Sequence, residues 1–163
     1  MTDGSRSFVL DISEHLFHLT TETVRLHSNE TRRYQSLERL LIEILVEGRS
    51  PLDDHPAATI KDHLAAVPTI GDIRIRLRMP MPHRDILSEL TEALAASLGS
   101  PLSVADTVSV LLLQYAAGKA TDRIMARLKL DHVQEGQVGP QSAGDNVVPL
   151  KHLRPPDTGS AKD

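Results

Sequence analysis

The sequence contains no cysteine and no tryptophan, and aromatic residues make up only 2% of its 163 positions. Without thiols there is no disulfide framework, no thiolate zinc site and no cysteine nucleophile. Phe8, Phe17, Tyr34 and Tyr115 are too few for the stacking platforms that usually hold single-stranded nucleic acid. Long hydrophobic runs are missing too. The longest, Val108 and Val110 to Leu113 around Ser109, falls far short of a membrane span, and the polar opening MTDGSRS has no signal-peptide layout, so a cytoplasmic protein is expected. A formal net charge of -4 excludes a uniformly cationic surface, which leaves any nucleic-acid binding to a local patch.

Catalytic signatures are also lacking. There is no Gly-x-Ser-x-Gly elbow, phosphate loop, dinucleotide fingerprint or His-Glu-x-x-His, so no enzyme and no cofactor is expected. His15 and His18, with Glu14 and Glu22 nearby, have no third defined ligand and read as a solvated helical face, so no metal is expected either.

Hydrophobic residues form 40% of the chain and charged residues 25%, as in a globular protein, and 163 residues suffice for one ordinary domain or two very small ones. The most distinctive stretch is GDIRIRLRMPMP, Gly71 to Pro82. Side chains of an extended strand alternate between faces, so Ile73, Ile75, Leu77 and Met79 form one aliphatic face while Arg74, Arg76 and Arg78 form a guanidinium face opposite. Pro82 suits the first turn of a helix, and Ile86, Leu87, Leu90, Leu94 and Leu98 then recur at helical spacing up to Gly99. Ser103 and Asp106 have capping-box spacing before a second helix carrying Val104, Val108, Leu111 and Tyr115 as far as Gly118.

The first third follows the same plan. SFVLDI is a short strand, Ser13 can cap a helix carrying Leu16, Leu19, Val24 and Leu26, HSNET reads as a turn, and a second helix is expected from about Arg32 with Leu37, Leu40, Leu41, Ile44 and Leu45 inward. The expected organisation is a first unit at 6–48, a linker with a short helix at 49–71 and a second unit at 72–118. An additional short helix at 119–132, carrying Ile124 and Leu128, and a flexible tail at 133–163 follow. A unit of this size with one unpaired strand buries too little surface to stand alone. Antiparallel pairing of the two strands lets four helices share one core, so the expected fold is mainly α with a two-stranded antiparallel β-ribbon.

IRIRLRM, PHRDILSELTEALAASLG and SPLSVADTVSVLLLQYAAG, in this order over Asp72 to Gly118, resemble the ribbon-helix-helix DNA-binding fold of the MetJ/Arc/CopG kind. Two such units in one polypeptide resemble its tandem versions, pseudo-dimeric within one chain, found in conjugation and T-DNA-processing accessory proteins. The resemblance implies a ribbon in the DNA major groove, with Arg74, Arg76 and Arg78 as base readers. It also implies phosphate anchors at the starts of the second helices, Ser103 and Val104 in one unit and Thr31, Arg32 and Arg33 in the other. Cations at a helix start oppose the macrodipole, a cost that a docked phosphate would explain.

The first strand departs from this pattern, since its outward set is Ser7, Val9 and Asp11. Either Asp11 braces an arginine of the other strand or accepts from a cytosine, or the first unit has given up base reading and completes the fold. Double-stranded DNA is the expected partner, for a transcriptional regulator or a plasmid or conjugation accessory factor. Two alternatives stand beside it: an antitoxin-like module whose C-terminal tail, with NVVPLKHL, binds a partner protein, and a scaffold of the same fold that does not bind DNA. The long aliphatic helices leave a homodimer open.

Overall fold

The computed structural model describes residues 5–135. The chain divides into two units, Met1–Met125 and Ala126–Asp163. The last helix of the first unit continues to Glu135. The expected tail from 136 onward, including NVVPLKHL, lies outside the described residues.

Strand β1 (Ser5–Ile12) pairs antiparallel with β2 (Ile73–Pro80), with Phe8 opposite Leu77, Val9 opposite Arg76 and Asp11 opposite Arg74. Helices α1 (Glu14–Thr31) and α2 (Leu37–Glu47) follow the first strand; α5 (Met81–Leu98) and α6 (Val104–Glu135) follow the second. The intervening segment carries two short helices, α3 (Pro51–Asp54) and α4 (Ala57–Ala66). The fold is mainly helical with a two-stranded antiparallel sheet. No helix among the described residues is long and apolar enough to cross a membrane.

The core forms where the ribbon's aliphatic face meets the helices. Leu77 and Met79 of β2 pack with Leu40, Leu41, Ile44 and Leu45 of α2, Leu87 of α5, and Val108, Leu111 and Leu112 of α6. Phe8 and Leu10 join from β1, and Ile12 packs with Leu16 and Ala105 at one end of the ribbon. Ile60 of α4 is fully buried against Leu94, Leu98 and Val110, which binds the linker to the body.

One end of the ribbon is tied off by a close backbone approach. The Ser13 N–H donates to the Thr69 carbonyl (3.0 Å), the Gly71 N–H donates to the Asp11 carbonyl (3.3 Å), and the Ser13 hydroxyl donates to Pro68. A Cβ on Gly71 would stand 2.5 Å from Ser13 Cα, so only glycine lets the two segments lie this close.

Three boundaries differ from expectation. HSNET is the end of α1 and not a turn: Ser28 Oγ donates to Val24 O (2.8 Å) and Thr31 Oγ1 to His27 O (2.8 Å), so its polar side chains bond back along the helix. The connection is instead Arg32 to Gln35, and α2 starts at Leu37 with Ser36 as its cap. Gly118 does not end the sixth helix, because one glycine costs only about 1 kcal/mol in a helix already packed along its first turns. The expected separate helix at 119–132 is therefore part of α6, which also includes 133–135 of the expected tail.

The two halves are spaced alike. Glu14 and Met81 begin 18-residue helices, Thr31 and Leu98 end them, and Leu37 and Val104 begin the next, each 67 positions apart. At the same interval, Arg32 (φ 54°) and Gly99 (φ 68°) hold the left-handed cap of the first helix.

Candidate nucleic-acid interface

Alternation in β2 turns Arg74, Arg76 and Arg78 away from the core, and all three are exposed. Across the ladder, on the same face, lie Asp11, Val9 and Ser7. The solvent face of the ribbon thus has three rows: Asp11 with Arg74, Val9 with Arg76, and Ser7 with Arg78. Val9 leaves 54% of its surface to solvent, an uncommon position for valine.

Arg74 and Asp11 form an ion pair, with Nε donating to Oδ1 (2.8 Å) and Nη2 to Oδ2 (3.3 Å). The hydrogen bond from Arg74, with its charge, holds the Asp11 carboxyl below the ordinary carboxylate value, and the same contact raises the Arg74 guanidinium. Asp11 thus lies against an arginine of the other strand. Arg76 and Arg78 have no carboxylate partner among the described residues. Arg84 of α5 sits with its guanidinium carbon 4.9 Å from the centre of the Phe8 ring, a cation–π contact under the ribbon.

The start of α2 is unlike what the sequence suggested. Thr31, Arg32 and Arg33 do not begin α2: Thr31 is the last residue of α1 and Arg32 its left-handed cap, whose N–H donates to Ser28 O. The cations therefore lie near the negative end of the α1 dipole, where they are favourable, and the argument from an opposed dipole falls. Arg32, Arg33 and Tyr34 are all exposed in the connection that leads into α2. Arg39, at the third position of that helix, was not singled out from the sequence. Its signal was the 67-residue interval, which sets it opposite Asp106.

At the start of α6 the expected capping box is present. The Ser103 hydroxyl accepts from the Asp106 N–H (3.1 Å) and donates to Asp106 Oδ2 (2.9 Å), which also accepts from the Ser103 N–H (2.8 Å). The Thr69 hydroxyl donates to the other oxygen of Asp106. Ser103 is thus engaged by a carboxylate, and Val104 begins a helix whose first turn carries that negative charge.

A groove of about 490 Å³ runs beside the ribbon, with Phe17 and Val24 of α1, Tyr34 and Leu37 from the approach to α2, and Ile75 and Arg76 of β2 in its wall. The start of α2 and the middle of the arginine row thus share one surface. A second cleft of about 520 Å³, lined from α2, α3 and α6, is polar; within it Arg49 pairs with Asp54 (2.7 Å), and Gln114 Nε2 donates to Asp54 (2.6 Å).

A buried polar clamp was also missed. His27, 5% exposed, lies against Tyr115 with Nδ1 2.9 Å from the phenol oxygen; the phenol donates to Glu30 (3.2 Å), and Lys119 donates to Glu30 (2.8 Å). Because Tyr115 spends its proton on Glu30, Nδ1 is the donor in the histidine contact. His27 Nε2 is 2.9 Å from Glu43, off the line of a hydrogen bond. Burial first, then Glu30 and the other nearby carboxylates, push the Tyr115 phenol well up. His15 and His18 remain on an exposed face, His18 beside Glu14 at 3.6 Å, and no group of metal-binding side chains occurs among the described residues.

Comparison with protein-family models, with curated proteins and with solved structures gives no match to this chain.

Proposed function

We propose that this chain binds double-stranded DNA by laying the β1–β2 ribbon in the major groove, as a tandem ribbon-helix-helix protein acting as a transcriptional regulator or plasmid-type accessory factor. The observation that carries this reading is the exposed row Arg74, Arg76 and Arg78 on a two-stranded ribbon whose other face is packed on helices. A ribbon of this width fits the major groove, and arginine offers guanine O6 and N7 two parallel hydrogen bonds. An exposed valine between arginines is a suitable surface for a thymine methyl group.

The 67-residue interval supports the tandem reading. It makes Arg76 the counterpart of Val9, its own ladder partner, so an internal two-fold axis would pass through that pair. Ser7 and Arg74, and likewise Asp11 and Arg78, become counterparts on either side of it.

The test is binding to duplexes selected from a random pool, followed by Arg76→Ala. Affinity that falls steeply with salt, and a loss of about 10-fold to 100-fold in Arg76→Ala with relaxed base preference, is expected. Absence of salt-sensitive binding to any duplex would favour the scaffold reading, to which the net charge of -4 and the Asp11–Arg74 pair lend weight.

A further inference from the structure

The ribbon face and the helix starts beside it are unequally charged, and the inequalities agree in direction. At the end where β1 closes on β2, Asp11 occupies Arg74 through two hydrogen bonds. The helix start at this end is that of α6, since Ala105 packs with Ile12 and Leu16. There a second carboxylate, Asp106, takes the Ser103 amide and hydroxyl and the Thr69 hydroxyl. An approaching phosphate would meet one neutralised arginine and a helix start that already holds an anion.

The rest of the face differs. Arg76 and Arg78 stand opposite Val9 and Ser7, with no carboxylate partner among the described residues. The groove beside Arg76 leads to the start of α2, where Arg32 and Arg33 are exposed and Arg39 stands in place of Asp106. Glu38 is the acidic residue of that first turn, so the balance there is still cationic.

We propose that the DNA-facing surface has one working end. Arg76 and Arg78 read bases, Asp11 holds Arg74 out of recognition, the α1–α2 connection supplies the phosphate contacts, and the chain selects a non-palindromic site. This rests on the DNA-binding reading above. To bond a guanine, Arg74 would have to give up its two hydrogen bonds to Asp11 and leave that carboxylate facing the duplex, so the exchange gains less than the same contact made by Arg76 or Arg78. Palindromic sites mirror proteins with two equivalent halves; these halves are not equivalent in charge.

The experiment uses the full chain: selection from a random duplex pool, then affinities of Arg74→Ala, Arg76→Ala, Arg78→Ala and Asp11→Asn on the selected site, with melting temperatures as a check of folding. The expected result is an asymmetric site, losses of about 10-fold or more for Arg76→Ala and Arg78→Ala, and a change of less than about threefold for Arg74→Ala. Asp11→Asn, which frees Arg74, is expected to tighten binding and to add a base preference at one edge of the site. A palindromic site, an Arg74→Ala loss equal to that of Arg76→Ala, or weaker binding by a folded Asp11→Asn variant would overturn the proposal while leaving DNA binding intact. Failure of the wild-type chain to bind any duplex would instead overturn the reading on which it rests.

Discussion

Gly71 shows how one residue decides the geometry of a whole face. Its missing side chain lets the segment before β2 touch the end of β1, with Ser13 bonded to Thr69 and Gly71 to Asp11. That contact closes the end of the ribbon where Asp11 and Arg74 meet. Gly71→Ala forces a methyl group against backbone atoms that cannot move independently, and should lower stability by about 1–3 kcal/mol. Chemical denaturation measures it; an unchanged midpoint would mean that the two segments are not in contact. Threonines carry a related lesson. Thr20 and Thr23 are buried on α1 because their hydroxyls bond back to the Phe17 and Leu19 carbonyls (2.6 Å each), which removes most of the cost of burying them. Apolar periodicity does not mark such positions, nor does it mark the buried His27.

Among the elements, α6 departs most from the sequence reading. Thr107, Val108, Ser109, Val110, Leu111 and Leu112 are all buried, so its early turns are enclosed on every side and present no simple stripe. Continuity through Gly118 follows from that anchorage. Nothing lies within 4 Å of the place a Cβ would take on Gly118, so Gly118→Ala should raise stability by about 0.5–1 kcal/mol through backbone entropy alone. Thermal unfolding of the variant checks this, and a destabilised protein would place a helix end at Gly118 after all. The α1–α2 connection shows the opposite error. Its residues are polar throughout, so composition alone does not say where the helix stops; the left-handed turn at Arg32 does.

For the molecule as a whole, charge placement bears on acid stability and on the proposed function. The Asp11 and Glu30 carboxylates are held below their ordinary values of 3.8 and 4.5, chiefly by hydrogen bonds from Arg74 and Lys119. A carboxylate whose pKa is lower in the folded state adds stability above its ordinary pKa and loses it as pH falls through the folded value. Stability should therefore be level with respect to these two groups from neutral pH to about pH 5 and decline below about pH 4, with a smaller decline in high salt because both pairs are exposed. Melting temperatures from pH 7 to pH 2.5 at two salt concentrations test this; a steeper acid loss at high salt would contradict it. The sequence by itself determined the strand with one aliphatic and one guanidinium face, the helices with their serine caps at Ser13 and Ser103, and the order of elements in each half, because alternation and capping act over a few residues. Only the tertiary structure decided that Asp11 lies against Arg74, 63 positions away, that Arg32 and Arg33 follow a helix and do not begin one, and that the linker is anchored through Ile60. Those outcomes depend on which segment lies opposite which, and the energy that chooses between arrangements comes from surface buried between distant parts of the chain.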